Sequence, residues 1–239
     1  MSYQTLSMKE RIEGNPYVGR GIVIGKSEDG KKAVFVYFIM GRSENSRNRV
    51  FKVEGDKIVI YPFDESKVED PSLIIYSPVK VVGKDVVVTN GDQTDTIETY
   101  LKAGKCFTCA LKTRAFEPDA PNFTPRISGI LHFKDGFTYE MSILKSADEK
   151  GSACNRYTFD YEPLSGVGHF IHTYVTDGNP LPTFFGEPER VKIPNCLKSF
   201  AEEIWENLDK NNKIALCARS IDLVSGESEQ IVYNIHEVK

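Results

Sequence analysis

The sequence has no apolar stretch approaching the roughly 18 residues that cross a bilayer, and Met1 to Pro16 lacks the apolar centre of a signal peptide. Both absences point to a cytoplasmic chain. An excess of positive charge is missing too: 30 Lys and Arg stand against 34 Asp and Glu, a net charge of -4. That excludes the broad electropositive field that draws nucleic acid or an anionic membrane, so any anion site must be local. The five cysteines, Cys106, Cys109, Cys154, Cys196 and Cys217, are odd in number and scattered, in a chain too long to need stapling, and read as reduced. Cys106 and Cys109 form a C-x-x-C, but no second pair and no histidine lies near it, so a four-ligand zinc site is not assembled. The pair reads as structural filler. The four histidines form no H-E-x-x-H array, and the G-x-S-x-G, Walker and dinucleotide-binding glycine patterns are absent. No metal, ATP or NAD is indicated.

What is present is strand-forming sequence. Tyr17 to Lys26, Lys32 to Met40, Lys57 to Tyr61, Leu73 to Val82 and Asp85 to Thr89 are rich in Val, Ile, Tyr and Phe, with Asp29-Gly30 and Gly83-Lys84 as hairpin turns. After Asn90-Gly91 the period changes. Ile97, Tyr100, Leu101, Phe107, Ala110 and Leu111 fall at helical spacing over 93–114. Arg126 to Phe133 and Phe137 to Lys145 form another hairpin, followed by strands near 153–160 and 167–176. A second helix runs from Asn195 to Leu208, and Lys213 to Leu223 and Glu229 to Glu237 close the chain as strands. With no repeat and no linker, residues 1–239 read as a single α+β domain of facing antiparallel sheets with helices on the outer faces.

Four segments carry more chemistry than a turn requires. "GRSENSRNR", Gly41 to Arg49, puts three arginines at the end of an apolar strand. "TNGDQTD", Thr89 to Asp95, breaks a strand into a helix start whose backbone N–H groups can hold an anion. "EPDAPNFTPR", Glu117 to Arg126, is stiffened by three prolines. "GVGHFIHTYVTDG", Gly166 to Gly178, carries His169 and His172, whose spacing sends them to opposite faces of a strand and argues against a shared metal. Each also has a plain structural reading as a solvated turn, a helix cap, a rigid loop or a packed histidine.

Taken in order, Tyr17-Val-Gly-Arg20, Tyr37 with Arg42-Ser43 and Asn48-Arg49, Tyr76, Val88-Thr-Asn-Gly91 with Thr94-Asp95, Glu117 with Asp119, and Thr124-Pro-Arg-Ile127 resemble the archaeal-type IMP cyclohydrolase family. The resemblance implies a four-layer αββα sandwich of two antiparallel sheets, like that of N-terminal-nucleophile hydrolases, and no cofactor. Gly14-Asn15-Pro16-Tyr17 stands where such hydrolases carry a Cys, Ser or Thr nucleophile, which disfavours amide hydrolysis. The implied reaction closes the purine ring of a formylated aminoimidazole carboxamide ribonucleotide, FAICAR, with loss of water to give IMP.

That chemistry needs a phosphate cradle, proton transfer and donors for an oxyanion. The resemblance assigns Arg42, Ser43, Arg47 and Arg49, with Arg20, to the phosphate, because arginine's planar fork matches phosphate oxygens. Arg47 takes the place of an arginine that in the family follows the first tyrosine, where this chain has Phe38. Arg126 serves the phosphate or the carboxamide. Asn90 and the Gly91 turn hold the formyl oxygen, and Asp92, Thr94 or Asp95 contact the ribose or cap the helix. Asn122 and Thr124, on the rigid loop, join the substrate-binding set. Glu117 and Asp119 are the proton-transfer pair, and Tyr37 and Tyr76 donate to the oxyanion or orient the base. The expected partner is a small purine ribonucleotide, and the sheet edges permit a homo-oligomer. Two other readings stand beside this one: a ribonucleotide-binding protein without turnover, and an amidohydrolase using Ser2.

Overall fold

A computed structural model describes residues 3–68 and 76–237. Its elements are α1 (Met8–Ile12), β1 (Arg20–Lys26), β2 (Lys32–Met40), α2 (Glu44–Arg47), β3 (Val50–Glu54), β4 (Lys57–Tyr61), β5 (Val79–Val82), β6 (Asp85–Thr89), α3 (Gln93–Lys102), α4 (Phe107–Leu111), β7 (Arg126–His132), β8 (Thr138–Ser146), β9 (Cys154–Tyr161), β10 (Val167–His172), β11 (Glu189–Lys192), α5 (Leu197–Asn207), β12 (Lys213–Asp222) and β13 (Ser228–Asn234). Among the described residues, one antiparallel sheet has the order β11-β10-β1-β2-β12-β13 and the other β3-β4-β5-β6-β7-β8-β9.

The two sheets face each other. Strand β2 shows why: its sequence KAVFVYFIM does not alternate because both of its faces are covered. Phe35, Tyr37 and Ile39 enter the core between the sheets, where they meet Ile22 and Ile24 of β1, Val86 and Val88 of β6, and Met141 and Ile143 of β8. Val34, Val36, Phe38 and Met40 point the other way, under Met8 and Ile12 of α1 and Leu197, Phe200, Ala201 and Ile204 of α5. On the far side of the second sheet, Val87 and Ile130 pack beneath Ile97, Phe107, Ala110 and Leu111 of α3 and α4. Helix, sheet, sheet, helix is the layer order that the resemblance implies. The sheets approach closely where β1 crosses β7, since a Cβ on Gly129 would lie 2.4 Å from Ile24 Cδ1.

Three expectations are corrected. The strand placed over Leu73 to Val82 begins at Val79; its residues 73–75 lie outside the described residues, as does Ser2. The C-x-x-C is paired: Cys106 and Cys109 form a disulfide, their Cα atoms 5.1 Å apart. Cys106 is the N-cap of α4, and a cap turn brings a residue over the third one after it. Phe38 is fully buried against Phe170, ring centroids 6.0 Å apart, on the helix-covered face. A residue at position 38 therefore points away from the strand-end cluster around Arg42.

Candidate active site

Antiparallel pairing brings the starts of β1 and β7 and the ends of β2, β6 and β10 to one end of the sandwich, since Arg20 pairs with Ile39, Gly21 with His172 and Thr89 with Ser128. Loops leaving that end enclose a cavity of about 900 Å³. Its walls hold Arg20, Arg42, Ser43, Arg49, Tyr76, Asn90, Gly91, Asp92, Glu117, Asp119, Asn122, Thr124 and Arg126, so residues more than 100 positions apart in sequence share one space.

The arginines are mounted differently. Arg42 donates from Nη1 to Asp177 Oδ1 at 2.5 Å and to the Gly178 carbonyl at 3.0 Å, and its guanidinium lies 5.1 Å over the ring of Tyr17, which stacks on Tyr174. Arg126 is held by Gln93 Oε1 at 2.8 Å and Asp92 Oδ1 at 2.7 Å. Among the described residues Arg49 Nε is buried without a hydrogen-bond partner. Burial pushes the Arg49 guanidinium below its usual range, and the Arg20 charge adds to the effect. Burial opposes the charge of Arg20 as well, but Tyr17, Glu117, Tyr76 and Tyr174 outweigh it and raise its pKa.

Glu117 sits among these cations. Burial holds its carboxyl above the ordinary range although Arg20 and Arg126 pull it down, Asp119 adding to the rise. Its backbone N–H donates to the Thr124 carbonyl at 2.9 Å. Asp119 is occupied otherwise: its Oδ1 accepts from the Thr124 N–H at 2.6 Å and its Oδ2 from the Thr124 hydroxyl. The same hydroxyl meets Tyr174 Oη at 2.6 Å. The carboxylate of Asp119 thus ties its loop together, and of the expected proton-transfer pair Glu117 is the carboxyl left to the cavity.

Tyr76 gives its proton to the Asn90 carbonyl at 2.8 Å, which leaves Tyr37 as donor to Tyr76 across 3.2 Å. Burial pushes the Tyr37 hydroxyl well above its usual value, with Tyr76 adding to the rise. Asn90 is internally engaged: Oδ1 accepts from the Ile127 N–H at 2.9 Å and from Gln93 at 3.0 Å, and Nδ2 donates to the Pro125 carbonyl at 2.9 Å. One amide hydrogen remains to it.

Four predicted residues are not brought to the cavity. Tyr37 is wholly enclosed, stacked on Phe51 behind Tyr76. Arg47 lies on the far side of the single turn of α2 and donates to the Asn211 carbonyl. Thr94 is buried against Thr89 and the Gly91 carbonyl, and Asp95 lies on the outer face of α3 with Lys80 at 2.6 Å. The reason is common to the last two: α3 starts at once after the turn, so of Asp92 to Asp95 the cap residue Asp92 alone lines the cavity. His169 and His172 do lie on opposite faces, and neither lines the cavity. Burial lowers both rings to about 4; His169 bonds Tyr139, and His172 donates to the Tyr174 carbonyl.

Tyr17, Asn45, Ser46, Pro118, Tyr174 and Leu181 also line the cavity and were not among the predicted set. Tyr17 stood in the quoted Tyr17-Val-Gly-Arg20, and Tyr174 lay within the histidine segment Gly166 to Gly178; their stacking is what the sequence does not display. Gly91 is required by space, since a Cβ there would lie 2.5 Å from Arg126 Nη1 and 2.6 Å from Gln93 Oε1.

The end cavity thus sets the guanidiniums of Arg20, Arg42, Arg49 and Arg126 around a buried carboxyl, a charge pattern complementary to a small anion. The profile of the IMP cyclohydrolase-like protein family matches residues 17–227. The chain belongs to that family. A Methanococcus maripaludis protein named IMP cyclohydrolase is 38% identical over 164 residues, 65% of this chain and 79% of that protein. One of the same name from Methanopyrus kandleri is 38% identical over 162 residues, 66% of this chain and 75% of its own length. Against a Methanococcus aeolicus IMP cyclohydrolase the identity is 33% over 120 residues, 48% of this chain, and the match spans 58% of that relative's length.

Proposed function

We propose that the chain is an IMP cyclohydrolase of purine biosynthesis, joining the carboxamide nitrogen of FAICAR to its formyl carbon and releasing water to give IMP. The observation that carries this reading is Glu117: a carboxyl raised by burial, surrounded by Arg20, Arg49 and Arg126, inside a cavity of ribonucleotide size. The family relationship supplies the substrate class.

Arg42, Arg49 and Ser43 take the phosphate, with Arg20 behind them. Paired N–H donors suit phosphate oxygens, and a dianion would repay the cost of burying Arg49 beside Arg20. At the other wall Glu117 takes a proton from the carboxamide nitrogen as that nitrogen attacks the formyl carbon, and returns it to the oxyanion, which Arg126 faces. The carbinolamine then loses its hydroxyl as water: Glu117 removes the proton of the former formamide nitrogen and delivers it to the leaving oxygen. One carboxyl of intermediate acidity can perform both transfers, which suits a chain whose second candidate, Asp119, is bound to Thr124. Nothing is oxidised or reduced, and all transferred atoms belong to the substrate.

The test is incubation of purified protein with FAICAR while following IMP absorbance, in the wild type and in Glu117→Gln. Ring closure well above the uncatalysed rate is expected, falling by about 10²–10⁴-fold in the variant, the range for general acid–base groups. Tight binding of IMP with no rate above background would establish instead a ribonucleotide receptor without turnover.

A further inference from the structure

Asp92 divides its carboxylate between two arginines. Oδ1 meets Arg126 Nη1 at 2.7 Å on the cavity side, and Oδ2 meets Arg114 Nη2 at 2.6 Å on the outer side. Together they hold the carboxyl below its ordinary range against the opposing effect of burial, with Arg114 the larger influence. Arg114 never touches the cavity. It is mounted all the same: its carbonyl accepts from Arg156 Nε at 3.1 Å and Nη2 at 2.7 Å, and its Nη1 reaches Thr96 Oγ1 at 3.5 Å. A surface ion pair of no consequence would not need its backbone clamped by a second arginine from β9.

An arginine and a carboxylate left alone pair through two parallel hydrogen bonds, which is their strongest arrangement. In that arrangement two of Arg126's N–H donors would be spent on Asp92, and its charge would be matched within the cavity wall. Because Arg114 occupies Oδ2, Asp92 meets Arg126 through one oxygen only. Gln93 Oε1 sets the plane of the same guanidinium at 2.8 Å.

We infer that Arg114 is a positioning residue for ring closure: by claiming one oxygen of Asp92 it keeps Arg126 tied to that carboxylate through a single oxygen, with its remaining donors directed at the substrate beside Glu117. The role rests on the ring-closure reading for its kinetic readout, and on the geometry alone for its binding readout.

The experiment is a double-mutant cycle of Arg114→Gln and Asp92→Asn, with Arg114→Lys as the conservative variant. Arg114→Gln is expected to lower kcat for FAICAR about tenfold, within the coupling range of residues in one charge network, and to lower it more than KM rises. Arg114→Lys keeps a cation on Oδ2 and should recover most of that loss. Adding Asp92→Asn to Arg114→Gln should recover part of it as well, because the partner that captures Arg126 is gone. A merely structural Arg114 predicts the reverse, losses that accumulate in the double variant along with a falling Tm. Either that result or an unaltered kcat in Arg114→Gln would overturn the inference. If the wild type proves to have no turnover, the ring-closure reading fails separately. The same cycle is then read as IMP affinity by calorimetry, where Arg114→Gln should weaken binding about threefold or more and Asp92→Asn should restore it. Equal affinities throughout would sink the positioning role independently of catalysis.

Discussion

At the scale of single residues, the site depends on how completely each polar side chain is already spoken for. Asn90 keeps one amide hydrogen, Tyr76 keeps no donor, and Asp119 has both oxygens on Thr124, so Glu117, Ser43 and the outward N–H groups of the arginines carry most of what the cavity offers a ligand. Gly91 is the most exacting position in this arrangement. A methyl group there would collide with Arg126 Nη1 and with Gln93 Oε1, which are hydrogen-bonded to each other, so the pair has to shift together against the bonds that hold Gln93 to Asn90 and the Ile127 carbonyl. Arg126 has to move. Gly91→Ala is therefore expected to cut kcat for ring closure about tenfold or more, since a misplacement on the order of 1 Å can cost up to about a hundredfold, with a change in Tm of only a few degrees. Wild-type kcat in Gly91→Ala would show that Arg126 is not held where its contacts imply.

At the scale of elements, the loop from Glu117 to Arg126 is a frame closed by Asp119. Removing that carboxylate leaves the Thr124 N–H and hydroxyl without their acceptor and loosens the loop that carries Glu117. Asp119→Ala should therefore raise KM and cost about 1–3 kcal/mol of stability, the penalty for leaving a hydrogen-bonding group unmet. Asp119→Asn retains an acceptor for Thr124, and its kcat should stay near that of the wild type; a collapse of kcat in Asp119→Asn with unchanged Tm would return Asp119 to the proton-transfer role. The apolar elements were legible because their composition and spacing announce them: β2, β4 and β6 begin and end where the sequence placed them, and α5 lies within the apolar stripe over 195–208. Short polar elements were not. β11, Glu189–Lys192, and α2, Glu44–Arg47, are too brief for a period to emerge, and β3, Val50–Glu54, was hidden behind the arginines preceding it. α1 did carry a readable mark, the capping box of Ser7 and Glu10. Within the site, the arginines and Glu117 were legible as polar residues at strand ends. The Tyr17–Tyr174 stack, the Asp177 anchor on Arg42 and the sharing of Asp92 were not, because each joins segments far apart in sequence and exists only once the sheets have paired.

At the scale of the whole molecule, the histidine that sets stability on the alkaline side lies away from the cavity. His132 ends β7, at the end opposite Arg126, and lies between Asp85 Oδ1 at 2.8 Å and Glu140 Oε1 at 3.3 Å. Those hydrogen bonds, Asp85 first, raise it from 6.5 to about 9. A folded pKa above the unfolded one means the folded state binds the proton more tightly, so this contribution is complete below about pH 6.5 and is lost as pH rises through about 9. His169 and His172 have the opposite sign. Burial lowers each from 6.5 to about 4, so the unfolded chain binds protons the folded one refuses, and their contribution is complete above about pH 6.5 and lost as pH falls toward 4. The urea midpoint should accordingly be greatest near neutrality and decline on both sides. His132→Gln should flatten the alkaline decline, and His169→Gln should lessen the acid one. Because His132 is remote from the cavity, His132→Gln should leave FAICAR turnover at pH 7 intact. A midpoint in His132→Gln that still fell as steeply as the wild type between pH 6.5 and 9 would move the alkaline limb to other groups.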